Sequence, residues 1–212
     1  NMTENVLTRL KDTARMCMSE KRYEHTLGVY RECEYLADKC ALSQKETDDL
    51  LTAALIHDMA KQLPIDKQKN ICMRHGTDTS GATEATLHQL SGAEYARELL
   101  GSDIVNDAVY SAVSKHTTGG SVMSLTDKLL FIADYTDAGR THEMCRKMRE
   151  YLHEKCEKIV KAEEARQVIN EVALKIIIST MQYLVETGAA LDPRINEARA
   201  TLEAEIKTAK ES

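Results

Sequence analysis

The run Leu50-Leu51-Thr52-Ala53-Ala54-Leu55-Ile56-His57-Asp58-Met59-Ala60 reads as a helix built for burial, with an imidazole and a carboxylate side by side within it. Leu, Ile and Ala suit the interior of a core helix, and so apolar a run has no polar face to turn to water. Burying an unpaired carboxylate costs several kcal/mol or forces it to take up a proton. A bound metal ion compensates both groups at once, so His57-Asp58 points to a metal site inside a helical core.

Outward from this run, the chain repeats a 3.6-residue apolar period almost throughout. A helix is predicted over 6–18, and a second begins near Lys21 with the stripe His25, Val29, Cys33, Leu36, Cys40. Ser43 followed three residues later by Glu46 is a capping-box pattern that opens the helix carrying His57-Asp58. That helix is expected to run to about Lys61, before Leu63-Pro64. Residues 64–88 are irregular apart from a short helix over 66–74. Further helices are predicted over 91–100, 103–115 and 125–134, then a loop over 135–141 and two long helices over 142–161 and 163–187. Asp192-Pro193 supplies an N-cap and first turn for a last helix reaching about Lys207. No strand pattern, repeat or low-complexity tract emerges. The fold class is all-α, in a single domain over 1–212, with Asn1 ahead of Met2 set aside as a remnant.

The chain of 212 residues, 42% hydrophobic and 29% charged, is long enough for a sizeable core. Its net charge of −6 counts against a partner held by general phosphate neutralisation, so no nucleic acid is expected. A small anionic substrate is still allowed, because a metal and a few cations can dominate the field of a cleft. No apolar run is read as approaching the ~18 residues of a membrane span, and no signal pattern opens the chain. Six cysteines occur without a C-x-x-C pair, and Cys17, Cys33, Cys40 and Cys156 read as small buried hydrophobes. A reducing, cytoplasmic location is therefore expected. Leu174, Ile177, Ile178 and Met181 on the second long helix serve the core or, as the second choice, a homodimer interface.

Other polar residues share the setting of His57-Asp58. His25 lies on the stripe of Val29 and Cys33, His116 follows Val109, Ala112 and Val113, and Asp134 follows Leu130 and Phe131. A lone histidine on such a stripe is more often a hydrogen-bonded core residue than a ligand. Several on neighbouring helices, with two carboxylates, favour a shared centre. His75, His142 and His153 fall in polar patterns and read as structural or exposed. With His25, His57, Asp58 and Asp134 as ligands, the mixed nitrogen and oxygen set suits Fe, Mn, Co or Zn, and leaves positions for water and a substrate oxygen.

The order His25, His57-Asp58, His88, His116, Asp134 resembles that of HD-domain metallophosphohydrolases. Closer still is the YqeK-type family of bacterial symmetrical dinucleoside tetraphosphate hydrolases, which several segments resemble. They are Arg22-Tyr23-x-His25-x-Leu27-Gly28-Val29, Ala53 to Lys61, Leu87-His88, Lys115-His116-Thr117-Thr118-Gly119, Met123-Ser124-Leu125-x-Asp127-Lys128, Ala133-Asp134 and Pro193-x-Ile195-x-Glu197-Ala198-Arg199. The likeness spans about residues 7–203. It departs at Tyr135-Thr136-Asp137-Ala138-Gly139-Arg140, where the family usually carries Tyr-Ile-Glu-Pro-x-Arg. Loss of the proline is expected to loosen the loop that aims Arg140.

The resemblance implies an HD-domain helical bundle with a metal site at its centre, iron being held by His25, His57, Asp58 and Asp134. It implies phosphate contacts from Arg22, His88, His116, Thr117 and Arg140, beside Asp58 and Asp134, with Asp58, His88, His116 and Arg140 serving catalysis. His88 and His116 could instead hold a second ion, and Lys61 and Lys115 are weaker phosphate candidates. The implied reaction splits diadenosine tetraphosphate into two ADP by attack of metal-activated water on an inner phosphorus. The alternatives are an HD-type nucleotidase or phosphodiesterase acting on mononucleotides, and a non-catalytic metal- or nucleotide-binding module.

Overall fold

Helices account for all regular structure in residues 2–212, which a computed structural model describes; Asn1 lies outside the described residues. They are α1 (Glu4–Met16), α2 (Glu20–Lys39), α3 (Gln44–Ile56), α4 (Ile65–Arg74), α5 (Leu87–Leu100), α6 (Asp107–Ser114), α7 (Leu125–Thr136), α8 (Glu143–Glu157), α9 (Ala162–Thr187) and α10 (Pro193–Glu211). No strand occurs among the described residues, and the all-α reading holds.

The helix starts follow their capping residues. Ser43 and Glu46 form the expected capping box at α3, and Asp192 caps α10 ahead of Pro193. Inside, one cluster of buried apolar side chains runs from Leu10 in α1 to Leu202 in α10. Leu50, Leu55 and Ile56 of α3 are wholly buried, and each contributes about 1.5–3 kcal/mol of apolar burial. Around α3 lie α1, α2, α6 and α7, while α8 and α9 pack on α7 and α10 packs on α9.

Three expectations change. First, α3 stops at Ile56, so His57 is its C-cap and Asp58 begins a turn rather than lying inside a helix that reaches Lys61. The local cause is visible: His57 Nδ1 donates to the Ala54 carbonyl at 2.7 Å, satisfying an acceptor freed by the helix end. Second, α5 begins at Leu87, not near residue 91, which puts His88 in its first turn. Third, α9 is long and apolar enough to cross a membrane by length and composition. Only Glu171 and Lys175 interrupt the stretch from Val168 to Val185 with charge. Within this fold α9 places Ala165, Ile169, Val172, Ala173, Ile176 and Ile177 against its neighbours. Ile177 is therefore core, whereas Leu174, Ile178 and Met181 are half-buried.

The Ser-Leu-x-Asp-Lys segment proves to be scaffold. Ser124 and Asp127 form a capping box at α7, and Asp127 Oδ2 also accepts from Lys115 Nζ at 3.4 Å and Ser111 Oγ at 3.1 Å. Lys128 pairs with Glu205, tying α7 to α10. Lys115 is thereby committed to Asp127 rather than to a phosphate.

Candidate metal centre

Three elements meet at the centre: α2 supplies His25, the turn after α3 His57 and Asp58, and α7 Asp134. Each of these four residues offers a ligand atom within 4.8 Å of the others. His57 is wholly buried and its Nε2 has no hydrogen-bond partner, although Asp58 Oδ2 stands 3.4 Å away and Asp134 Oδ1 3.5 Å. Because Nδ1 is committed to Ala54, Nε2 is the atom left for a ligand. Burial opposes charge on His57, yet the neighbouring Asp58 and Asp134 carboxylates raise its pKa to about 10. Burial would likewise raise Asp58 and Asp134, but His57 beside Asp58, and His25 bonded to Asp134 with His57 close by, hold both well below the usual carboxylate range. A buried carboxylate, Asp58, and a half-buried one, Asp134, thus draw positive charge to one point among imidazole nitrogens, a demand that a divalent cation meets. The donor set fits one.

His25 bridges two acids, Nε2 to Asp134 Oδ1 at 2.9 Å and Nδ1 to Asp137 Oδ2 at 3.0 Å. Burial works against its protonation, but the hydrogen bonds to Asp134 and Asp137 outweigh it and raise the pKa. A carboxylate behind a ligating histidine fixes its tautomer and increases its basicity. Asp137 reaches that position because residue 28 is glycine: a Cβ there would sit 1.9 Å from Asp137 Oδ1. Gly28→Ala is therefore expected to destabilise the fold by about 1–3 kcal/mol, read as a lower denaturation midpoint. An unchanged midpoint would show that Asp137 can move aside freely.

Two arginines frame the cluster. Arg22 donates to Asp58 Oδ2 at 3.1 Å, while Arg140 donates to Asp134 Oδ1 at 3.0 Å and to its carbonyl at 2.6 Å. On the opposite flank Asp58 Oδ1 faces His88 Nε2 at 3.6 Å and His116 Nε2 at 3.5 Å. His116 donates from Nδ1 to the Val113 carbonyl, so its Nε2 accepts from His88 Nε2 at 3.0 Å. Burial, His116 and Lys61 keep His88 well below the ordinary histidine pKa, hence neutral. Thr117 Oγ1 lies 3.3 Å from His88 Nε2. All the residues singled out from the sequence for metal or phosphate thus gather here, apart from Lys115.

The sequence reading passed over three supports. Gln89, wholly buried, accepts from the Thr117 and Thr118 amides and donates to Thr118 Oγ1, which sets the turn that presents His116 and Thr117. In α8, Arg149 donates to the carbonyls of Asp137 at 2.8 Å and Arg140 at 3.2 Å. The loop expected to be loosened by its missing proline is instead clamped by this guanidinium. Neither residue carries a local signal, since both act across bonds between distant segments. Asp137, the third, was given no role from the sequence, although an acid one turn beyond Asp134 was a signal that could have found it. His75, His142 and His153 take structural partners as expected: Glu98, the Met144 amide and Glu32.

Comparison with known proteins agrees with this geometry. Residues 22–139 match the HD domain family. The chain is 31% identical over 137 residues to a symmetrical bis(5'-nucleosyl)-tetraphosphatase of Staphylococcus aureus, covering 64% of this chain and 68% of that one. It is 27% identical over 178 residues to a protein of the same name from Halalkalibacterium halodurans, covering 83% and 86%. A crystal structure from Clostridium acetobutylicum, described as a predicted HD superfamily hydrolase involved in NAD metabolism, aligns with a TM-score of 0.80 at 28% identity. That alignment covers 97% of this chain and 100% of the other. With its ligand-bearing segments inside the matched region, the chain belongs to the HD domain family and, within it, to the group of symmetrical bis(5'-nucleosyl)-tetraphosphatases.

Proposed function

We propose that this chain hydrolyses diadenosine tetraphosphate symmetrically, adding one water across a central phosphoanhydride and releasing two ADP. The observation that carries the reading is the His25, His57, Asp58, Asp134 cluster, with His57 and Asp58 buried, framed by Arg22 and Arg140 on one flank and by His88 and His116 on the other. A divalent cation on those four side chains supplies Lewis acidity, acidifying a water and polarising a phosphoryl oxygen. Iron is the ion we assign, from the mixed imidazole and carboxylate set together with the family likeness.

The chain's own groups do the rest. Arg22 and Arg140 present guanidinium forks to phosphate oxygens, a geometry that lysine lacks. Asp58 orients the attacking water. Neutral His88 donates from Nε2, and Thr117 and His116 complete that flank for the departing phosphate. We assign His88 and His116 to substrate rather than to a second ion. Asp58, His88 and His116 also lie within 4.8 Å of one another and could hold an ion, so metal content per chain separates the two assignments. The six cysteines are free thiols, which supports action in the reducing cytoplasm.

Two measurements test the reading. Chelation followed by dialysis is expected to abolish turnover, and Fe(II) to restore it. Anion-exchange chromatography of the products should show ADP alone. ATP with AMP would replace this reading by asymmetric cleavage, and turnover of mononucleotides alone by the nucleotidase alternative.

A further inference from the structure

The turn that carries Arg140 leaves α7 with little to hold its own backbone, since Ala138 and Gly139 are exposed. Inside the turn the Arg140 amide donates to the Asp137 carbonyl at 2.9 Å and the Gly139 amide to Asp137 Oδ1 at 3.2 Å. The outer restraint comes from α8. Arg149 Nη1 donates to the carbonyls of Thr136 at 3.5 Å, Asp137 at 2.8 Å and Arg140 at 3.2 Å. The first two belong to the end of α7, where carbonyls lack intrahelical partners and positive charge is favoured. Among the described residues no carboxylate pairs with Arg149, so its charge is spent on this turn.

In turn, α8 is pinned to the helix that bears Arg22 and His25. One turn beyond Arg149, His153 Nε2 donates to Glu32 Oε1 of α2 at 2.8 Å, and its ring stacks on Tyr35 with centroids 4.3 Å apart. The Tyr35 hydroxyl donates to Glu157 of α8 at 2.7 Å. Arg149 thus ties the place of Arg140 to α2, across a cavity of about 680 Å³ lined by Arg22, His25, Asp137 and Arg140. Asp137 has further anchors in its bond to His25 and its seat over Gly28. Outside the turn the Arg140 backbone bonds, among the described residues, to Arg149 alone. We infer that Arg149 is a positioning residue: it fixes the backbone from which Arg140 reaches the metal centre, without bonding to any of the four cluster residues. The inference rests on the activity assigned above.

Arg149→Met keeps the aliphatic stem and removes the donors. In the metal-loaded chain it is expected to lower kcat for diadenosine tetraphosphate by about 10–10²-fold, the scale of a displacement of about 1 Å at a reacting group. KM and metal content should hardly move, and Arg149→Lys should recover part of the rate. In the Arg140→Ala background the same substitution should cost less than about twofold, because the group it positions is gone. Asp137 already has φ −46° and ψ 135°, the extended backbone that precedes a proline. Ala138→Pro should therefore stiffen the turn from within and return part of the rate lost in Arg149→Met. Hydrogen exchange at the Gly139 and Arg140 amides should quicken in Arg149→Met. An unmoved kcat, an equal loss in both backgrounds, or metal lost in proportion to rate would overturn the positioning role. If the unsubstituted chain leaves diadenosine tetraphosphate intact, the assigned activity falls and the exchange rates decide the clamp, faster exchange supporting it and unchanged exchange overturning it.

Discussion

Asp58→Ala is expected to leave the purified chain without its metal and with kcat lower by at least about 10³-fold, measured by elemental analysis and by ADP release. No other side chain in the centre faces so many partners. Oδ2 accepts from Arg22 and lies 3.4 Å from His57 and 3.8 Å from His25, while Oδ1 faces both His88 and His116. Removing one preorganised electrostatic contact typically costs about 2.7–4 kcal/mol of barrier, and here a ligand and an orienting acceptor go together. Arg22 would also lose its carboxylate, leaving a half-buried guanidinium unpaired. Asp58→Asn separates charge from shape: it keeps the packing and should still lose the ion. Metal content and rate equal to those of the unsubstituted chain would remove Asp58 from the site.

Arg140→Ala is expected to separate the two properties, keeping the metal while lowering kcat by about 10²–10³-fold. Arg140 touches the ligand Asp134 but belongs to the loop beyond it, held by the Asp137 and Arg140 carbonyls that Arg149 gathers. Asp134 keeps His25 as a partner at 2.9 Å when the arginine is gone, so the ligand stays in place. The missing fork is felt where phosphate charge must be met, and Arg140→Lys should recover only part of the rate. Metal loss in proportion to the loss of rate would instead make Arg140 a support for Asp134.

Several parts of this architecture are legible in local chemistry. The 3.6-residue stripes mark every helix, and Ser43 with Glu46 and Asp192 with Pro193 mark two starts within a residue. The metal cluster is legible because burial makes an uncompensated carboxylate costly wherever it falls, so Asp58 and Asp134 announce themselves against Leu and Ile. The end of α3 is less legible. Ala53 to Ala60 continue a good helical pattern, and only the His57 bond to the Ala54 carbonyl shows where the helix closes.

Residue types and their apolar surroundings therefore pointed to the groups proposed to hold an ion and determined which class of fold carries them, since helical periodicity and the cost of burying charge are local properties. Tertiary structure alone decided on which flank each group lies, the support by Gln89 and Arg149, the close approach of Asp137 over Gly28, and the cavity beside Arg22 and Arg140. These depend on how helices far apart in the chain cross and on the space their packing leaves, quantities that no single segment encodes.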